Sequence, residues 1–248
     1  MKDDIFFLRR ALKLAGKGKG NVSPNPMVGA VIVKNGEILG EGYHKNFGGN
    51  HAEINAIKNS ISNPSNSTMY INLEPCCHYG KTPPCVNAIV KSGIKKVVIC
   101  NKDPNPEVNG KGMDFLRKNG VEVVEGILKN EEFWFNRFYY KYIQKGIPYV
   151  IMKIAQTINS RIGRVNKNEK WITSLKSRKK VHSLRKEVDG ILIGANTVIV
   201  DNPELTVRYV KGKNPLRIIL DTFLETDLNY KVYKDNNVII FTDKNANS

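Results

Sequence analysis

The sequence lacks any apolar run long enough to cross a membrane, which needs about 20 mostly apolar residues. The first residues, Met1-Lys2-Asp3-Asp4, also lack the apolar stretch of a secretory signal. Internal repeats and low-complexity segments are absent too, which argues against a repeat protein. We therefore expect a cytoplasmic protein with no membrane partner.

Cysteine is scarce, because only Cys76, Cys77, Cys85 and Cys100 occur in 248 residues. Three of the four fall within ten residues, close to a histidine motif. This clustering is typical of metal binding in a reducing compartment rather than of a disulfide framework. We expect Cys100, at the end of an apolar strand, to be a small buried hydrophobe.

Acidic residues are few relative to basic ones, since 23 Asp and Glu against 39 Lys and Arg give a net charge of +16. The segment 161–186 contains ten Lys or Arg and the single acid Glu169. It could follow a nucleic-acid backbone, hold the phosphates of a small substrate and a cofactor, or be a solvated surface without a partner. We favour the small phosphates and do not expect a nucleic-acid partner.

At 248 residues with 41% hydrophobic content, the chain is long enough for two domains. Before Gly146, apolar periodicity alternates between helices and strands, which predicts an α/β layer structure with a partly parallel sheet. The predicted helices are 5–17, 51–59, 84–91, 111–118 and 130–144, and the predicted strands are 27–33, 37–43, 68–73, 95–100 and 121–124.

Gly146-Ile147-Pro148 interrupts this pattern and is the predicted linker between domains 1–146 and 147–248. The second domain contains a predicted basic helix, 174–186, and the predicted strands 149–155, 190–194, 217–220 and 238–242. It has no Gly-x-Gly-x-x-Gly motif, so a Rossmann fold is not supported.

The most informative motif is His51-Ala52-Glu53, followed by Pro75-Cys76 and Pro83-Pro84-Cys85. One imidazole and two thiolates leave a zinc ion with an open position, as in catalytic rather than structural sites. Glu53 is not needed as a ligand, and in zinc deaminases of nucleobases such a glutamate transfers the protons while an activated water displaces an amino group.

The local context of the motif favours these ligands. Pro83-Pro84 suit the first turn of a helix, where the Cys85 thiol is biased toward the thiolate. Cys77 could replace Cys76 with little change of spacing; we favour Cys76 because it directly follows Pro75. His44 could face the pocket or the solvent, and we expect His78 and His182 on the surface.

Five segments carry a family resemblance: 25–31 (NPMVGAV), 51–53 (HAE), 73–76 (LEPC), 80–85 (GKTPPC) and 103–106 (DPNP). They closely resemble the bifunctional riboflavin-biosynthesis deaminase–reductases. The eight residues between the two ligand cysteines distinguish the chain from cytidine, tRNA-adenosine and guanine deaminases, which usually carry Cys-x-x-Cys. The resemblance implies a cytidine-deaminase-like three-layer domain with a mixed sheet, followed by an incomplete dihydrofolate-reductase-like α/β domain.

The resemblance also implies the deaminase site and its substrate, 2,5-diamino-6-(5-phosphoribosylamino)pyrimidin-4(3H)-one. It assigns zinc to His51, Cys76 and Cys85, proton transfer to Glu53, and substrate contacts to Asn25, His44, Lys81 and Asn105, with the lysine helping to hold the phosphate. Without the resemblance, Lys81 would more often be a solvated loop residue.

In the second domain the segments 149–155, 171–174, 195–198 and 201–208 are similar to the start of the family's reductase. That domain uses NADPH to reduce the ribose of the deaminated product. The resemblance implies NADP contacts at Ala155, Trp171, Thr197 and Asp201, and substrate contacts at Lys153, Glu169, Arg185, Leu205 and Arg208. Without the resemblance, we would interpret Trp171 as a packing aromatic and Asp201-Asn202-Pro203 as a turn.

The family's reductase continues past the position of Ser248, so we expect this polypeptide to deaminate but not to reduce. We also expect a homo-oligomer. Two rival functions stay open: a nucleoside or tRNA deaminase of the same fold, and a nucleic-acid-binding protein with structural zinc. A structural zinc site needs a fourth protein ligand, and Cys77 and His78 are the only nearby candidates in the sequence.

Overall fold

The computed structural model describes residues 2–162 and 171–246. The chain divides into two compact units, Met1–Val150 and Ile151–Ser248; the sequence-based boundary after residue 146 falls just before this division. In the described ranges, no helix combines the length and the apolar character that a membrane span requires.

The first unit is built on a five-stranded mixed sheet in the order β2-β1-β3-β4-β5. Strand β1 is antiparallel to β2 and β3, whereas β3, β4 and β5 are parallel. The strands are β1 Gly29–Lys34, β2 Glu37–Tyr43, β3 Thr68–Leu73, β4 Lys96–Asn101 and β5 Glu122–Glu125. The helices are α1 Lys2–Ala15, α2 Ala52–Lys58, α3 Cys85–Lys91, α4 Lys111–Lys118, α5 Lys129–Phe135 and α6 Arg137–Lys145.

Alternate residues of each strand point to opposite sides of the sheet. Helices cover both sides, with one core cluster on each. One face packs on α2, α3 and α4 in a cluster that includes Ala30, Ile32, Met69, Ile71, Val97 and Ile99. The other face packs on α1 in a cluster that includes Val31, Val33, Tyr70, Val98 and Cys100. The predicted three-layer α/β arrangement and the burial of Cys100 are confirmed.

One predicted helix is wrong in its length. The segment 130–144 is two helices, because Asn136 leaves the helical conformation between α5 and α6 with φ −101° and ψ 19°. Its side-chain amide bonds both backbone groups of Met27, accepting from N at 2.9 Å and donating to O at 3.0 Å. The backbone N–H and oxygen of Asn136 still bond to Glu132 and Tyr140, so the interruption is a local change of backbone angles at a residue held against Met27, which periodicity alone does not report.

Helix α2 lies against β2 at a distance that only glycine permits. A Cβ atom added to Gly42 would lie 2.3 Å from both the Ala52 oxygen and the Ala56 nitrogen. Gly42→Ala is therefore expected to lower the free energy of unfolding by about 1–3 kcal/mol, measured by urea denaturation. Gly16→Ala is the matched control, since its Cβ would meet only the Phe135 ring at 3.9 Å. Equal stability of the two variants would contradict this packing.

The second unit contains a three-stranded parallel sheet in the order β6-β7-β8. Its elements are α7 Leu175–Glu187, β6 Gly190–Gly194, α8 Ala195–Asp201, β7 Leu216–Leu220 and β8 Val238–Phe241. Its core consists of Val198, Leu205, Ile219, Val232 and Tyr233. Ser174, the predicted first residue of this helix, instead caps α7 from the position before it, where its hydroxyl oxygen accepts the Ser177 N–H.

One predicted strand of this unit is wrong. The apolar run 149–155 is not a strand, and its side chains are mostly exposed. An extended segment becomes a strand only when another backbone pairs with it, and the sheets of the described residues do not include this run. Residues 195–201, for which the sequence patterns predicted no element, form α8.

Candidate metal and substrate site

The metal motif lies where two helices begin, beside the end of the central strand β3. His51 directly precedes α2, and Glu53 lies in the first turn of that helix. Cys85 is the first residue of α3, and its backbone N–H donates to Cys76 Sγ at 3.4 Å. Residues distant in sequence meet at this point because α2 and α3 pack on the same face of the sheet.

The three predicted ligands, His51, Cys76 and Cys85, form one compact group, which we call the metal group. His51 Nδ1 lies 3.5 Å from Cys76 Sγ and 3.3 Å from Cys85 Sγ, and all three donor atoms lie within 4.8 Å of one another. A tetrahedral zinc ion with ordinary bond lengths separates nitrogen and sulfur ligands by about 3.6 Å. The donor set and its spacing fit zinc.

Cys77 does not join this group among the described residues. Its Sγ instead lies 3.7 Å from the Glu107 backbone oxygen. Contacts with the Cys85 thiol and the His51 imidazole lower the pKa of Cys76, whereas burial and the nearby Glu74 carboxylate raise the pKa of Cys77. Of the two adjacent cysteines, Cys76 is the one prepared to bind a cation.

Glu53 is buried beside these donors without belonging to them. Its side chain is 3% exposed, and its Oε2 has no hydrogen-bond partner within the described part of the chain. Burial raises the pKa of the Glu53 carboxyl to about 7. An unpartnered buried carboxylate oxygen is costly unless a further group binds there, and it can exchange a proton near neutral pH.

A cavity of about 250 Å³ opens onto this group. All four predicted substrate residues line it together with His51, Glu53 and Cys76. These four are Asn25, His44, Lys81 and Asn105. The predicted metal motif and the substrate residues therefore share one pocket.

The structure settles the position of His44, which is 2% exposed and lines the cavity. Its Nδ1 lies 3.1 Å from the Asn50 oxygen; since a carbonyl only accepts, Nδ1 carries the proton. Nε2 is then an acceptor for the Asn25 amide at 3.3 Å. Burial lowers the pKa of His44, which favours this neutral form.

Glu74 is a site residue that sequence reasoning missed, although it stands in the Leu73-Glu74-Pro75-Cys76 segment. Its buried carboxylate ties the end of β3 to the loop that carries Asn105. It accepts four backbone N–H groups, from Asp103 at 3.1 Å, Gly110 at 2.9 Å, Gly112 at 3.0 Å and Met113 at 3.2 Å. The bonds fix this cavity wall relative to Cys76.

Asp103 is a second missed residue of the cavity wall. Its Oδ1 accepts the Tyr139 hydroxyl at 2.8 Å and the Asn105 N–H at 2.8 Å. Burial raises the pKa of the Asp103 carboxyl to about 6. Both partners lie in the cavity lining, so Asp103 orders one side of the pocket.

In the second unit, two of the predicted substrate residues lie together. Arg185 donates to the Thr206 oxygen at 3.1 Å, and Arg208 donates to the Thr206 hydroxyl at 3.0 Å. His182 lies with them and was wrongly expected on the surface, since it is 4% exposed. Its Nδ1 accepts the Arg208 N–H at 2.9 Å, and its ring packs edge-on against Tyr209. His78, also expected on the surface, has a 34% exposed side chain and lines the first unit's cavity.

The other predicted residues of this unit are more scattered. Trp171 lies under the Arg178 guanidinium, which is 4.3 Å from the ring centroid. Thr197 and Asp201 are exposed on α8, Lys153 is exposed and Ala155 is half-buried. Leu205 packs in the core of the unit. Glu169 lies outside the described residues.

Known proteins match both units. A family model described as the cytidine and deoxycytidylate deaminase zinc-binding region matches residues 1–101, and one described as the RibD C-terminal domain matches residues 148–248. The riboflavin biosynthesis protein RibD of Aquifex aeolicus is 47% identical over 92% of this chain, and that of Synechocystis sp. is 39% identical over 98%. The chain spans 65% and 67% of the lengths of these two relatives.

Solved structures agree with this assignment. The diaminohydroxyphosphoribosylaminopyrimidine deaminase/5-amino-6-(5-phosphoribosylamino)uracil reductase of Thermotoga maritima matches with a TM-score of 0.93 and 43% identity, covering 100% of this chain and 72% of its own. RibD of Acinetobacter baumannii matches with a TM-score of 0.91 and 36% identity, covering 97% and 70%. A cytidine-deaminase-like unit thus precedes a unit of the RibD C-terminal type, and the chain belongs to the family of the riboflavin biosynthesis protein RibD.

Proposed function

We propose that the first unit hydrolytically deaminates 2,5-diamino-6-(5-phosphoribosylamino)pyrimidin-4(3H)-one, a step of riboflavin biosynthesis. The observation that carries this proposal is a His-Cys-Cys group with a buried, unpartnered glutamate beside it in one cavity. The Thermotoga maritima relative is named for this deamination and for the reduction that follows it.

In this proposal His51 Nδ1, Cys76 Sγ and Cys85 Sγ hold the zinc ion. When bound, zinc would lower the pKa of a water in its open position to about 7, which makes that water a nucleophile at neutral pH. The second ring nitrogen of His51, Nε2, lies 3.5 Å from Thr82 Oγ1. In this proposal the contact orients the imidazole.

Glu53 moves the protons at its unpartnered Oε2. The carboxylate takes a proton from the attacking water and delivers it to a ring nitrogen of the pyrimidine. A second proton then goes to the departing amino group, which leaves as ammonia while the ring carbon keeps the oxygen. A carboxyl with a pKa near neutrality suits both transfers.

Substrate recognition in this proposal divides between the neutral polar residues and the lysine that line the cavity. The neutral His44 and the Asn25 and Asn105 amides offer hydrogen bonds to the pyrimidine and ribose. Lys81 is the only Lys or Arg among the described residues that line the cavity, so the phosphate is assigned to it.

Lys81→Ala is expected to lower kcat/KM for the phosphorylated pyrimidine about 10- to 100-fold, because a charge-assisted contact is lost. Any turnover of the dephosphorylated form should change much less. Lys45→Ala is the matched control, since Lys45 lies over Tyr43 and outside the cavity lining. Equal losses on both substrates would show that Lys81 supports the loop and does not contact the phosphate.

A panel assay tests the proposed function directly. Zinc content and ammonia release would be measured with the phosphoribosylated pyrimidine, free cytidine and adenosine, and tRNA. Deamination of the phosphoribosylated compound alone is expected. Turnover of tRNA or nucleosides would instead favour the rival deaminases, which the RibD relatives do not support. The structural-zinc alternative lacks a fourth ligand in the group found among the described residues.

We propose that residues 147–248, which include the second unit, form the NADP-binding part of a reductase. NADP is assigned to Ala155, Trp171, Thr197 and Asp201, and the substrate to Lys153, Glu169, Arg185, Leu205 and Arg208. Calorimetry with NADPH tests the assignment, and binding that does not weaken in Asp201→Ala would contradict it. Deamination without reduction stays a prediction, tested by following NADPH oxidation with the deaminated product.

A further inference from the structure

The Lys81 ammonium lies over the aromatic ring of Phe47, with Nζ 4.0 Å from the ring centroid. Both side chains line the cavity of the metal site. We propose that Phe47 is a positioning residue, which holds the Lys81 ammonium at the cavity so that it meets a phosphate-bearing substrate. This inference rests on the proposed function, because it specifies how that substrate's phosphate is bound.

The ring of Phe47 has a defined place relative to the metal group. Phe47 lies in the loop between β2 and α2, whose two ends carry His44 and His51. The Phe47 N–H donates to the Asn21 oxygen at 3.0 Å, and His44 Nδ1 donates to the Asn50 oxygen at 3.1 Å within the same loop. These bonds hold the backbone of the loop that carries the Phe47 ring between His44 and His51.

Lys81 needs such a support, because it lies in the exposed insert between the two ligand cysteines. An unrestrained lysine samples many rotamers and loses that freedom when it binds a ligand. The negative face of an aromatic ring attracts the ammonium without neutralising its charge. Part of the three N–H donors then stays available for a phosphate oxygen.

The carboxylates of the cavity do not take this supporting role. Glu74 is bonded to backbone amides, and Asp103 is bonded to Tyr139 and Asn105. The third carboxylate, Glu53, has an Oε2 without a hydrogen-bond partner among the described residues, so this oxygen does not hold the Lys81 ammonium. Lys81 makes no ion pair in the described portion of the chain, so its charge is not already compensated there. An aromatic support thus leaves Lys81, the one lysine among the described residues of the cavity lining, without an acidic partner that would compete with an anion.

Steady-state kinetics of the full chain provide the first test. Phe47→Leu is expected to raise KM for the phosphorylated pyrimidine about two- to fivefold (about 0.5–1 kcal/mol), with kcat unchanged. Phe47→Tyr should restore the original KM, because its ring presents the same face. Tyr79→Leu is the matched control, since Tyr79 is an exposed aromatic of the same insert outside the cavity lining.

A double-mutant cycle separates support of Lys81 from direct contact with the substrate. In a Lys81→Ala background, Phe47→Leu is expected to have no further effect on KM. If Phe47→Leu raises KM equally in both backgrounds, the ring contacts the substrate itself and the proposal is overturned. An unchanged KM in Phe47→Leu alone would overturn it as well.

A measurement that does not depend on turnover keeps this inference distinct from the proposed function. In protein with ¹³C-labelled lysine, the Lys81 ε-carbon signal should show a ring-current shift that disappears in Phe47→Leu. Titration with ribose 5-phosphate should move this signal, with a Kd about two- to fivefold higher in Phe47→Leu. An equal Kd would overturn the role of Phe47, whereas absence of ammonia release by the unaltered chain would overturn the proposed function alone.

Discussion

Glu53→Gln is expected to lower the rate of ammonia release about 10²- to 10⁴-fold while the chain keeps its zinc. Glutamine has nearly the same shape as glutamate but cannot accept and return a proton. Glu53 is not one of the three donors of the metal group, so the group should stay intact. Turnover by coupled ammonia detection and metal content by mass spectrometry would be measured on the same sample.

Glu107→Gln is the matched control for this variant. Glu107 is an acid with a 69% exposed side chain near His78, and it does not line the cavity. Its replacement should leave both turnover and zinc unchanged. Near-normal turnover in Glu53→Gln would exclude Glu53 as the proton carrier, whereas loss of zinc in that variant would show that the carboxylate supports the metal group.

Replacement of His51, Cys76 or Cys85 by alanine is expected to remove zinc and activity together. Two remaining donors hold zinc far more weakly than three, and the open-site chemistry requires all three. Cys77→Ser should keep both properties, because its Sγ faces the Glu107 oxygen rather than the metal group. The adjacent cysteines therefore provide a matched pair of variants.

Zinc content of the purified variants decides this prediction. Loss of zinc in Cys77→Ser with retention in Cys76→Ser would reverse the assignment of the ligand. Circular dichroism would establish that each variant remains folded, since Cys85 is completely buried at the start of α3. A folded Cys85→Ala protein that keeps zinc and full activity would contradict the three-ligand site.

Much of the first unit follows from local sequence patterns. Strands β2 and β3 and helix α4 have the bounds that periodicity predicts, because the apolar residues of each pack against a continuous core. The run 149–155 has the same apolar character and is not a strand. Apolar composition reports that a segment can be buried or extended, but pairing depends on a partner backbone.

The sequence by itself determined the composition of the candidate site: one imidazole and two thiols able to bind a metal, their order along the chain and the presence of a further carboxylate. These follow from residue types and spacing within short segments. Only the tertiary structure decided that Cys76 rather than Cys77 faces His51, that His44 and His182 are buried, and that the Phe47 ring lies against the Lys81 ammonium. Each of these depends on contacts between separate segments of the chain, whose directions are set by packing of helices on a sheet and are not encoded in any local pattern.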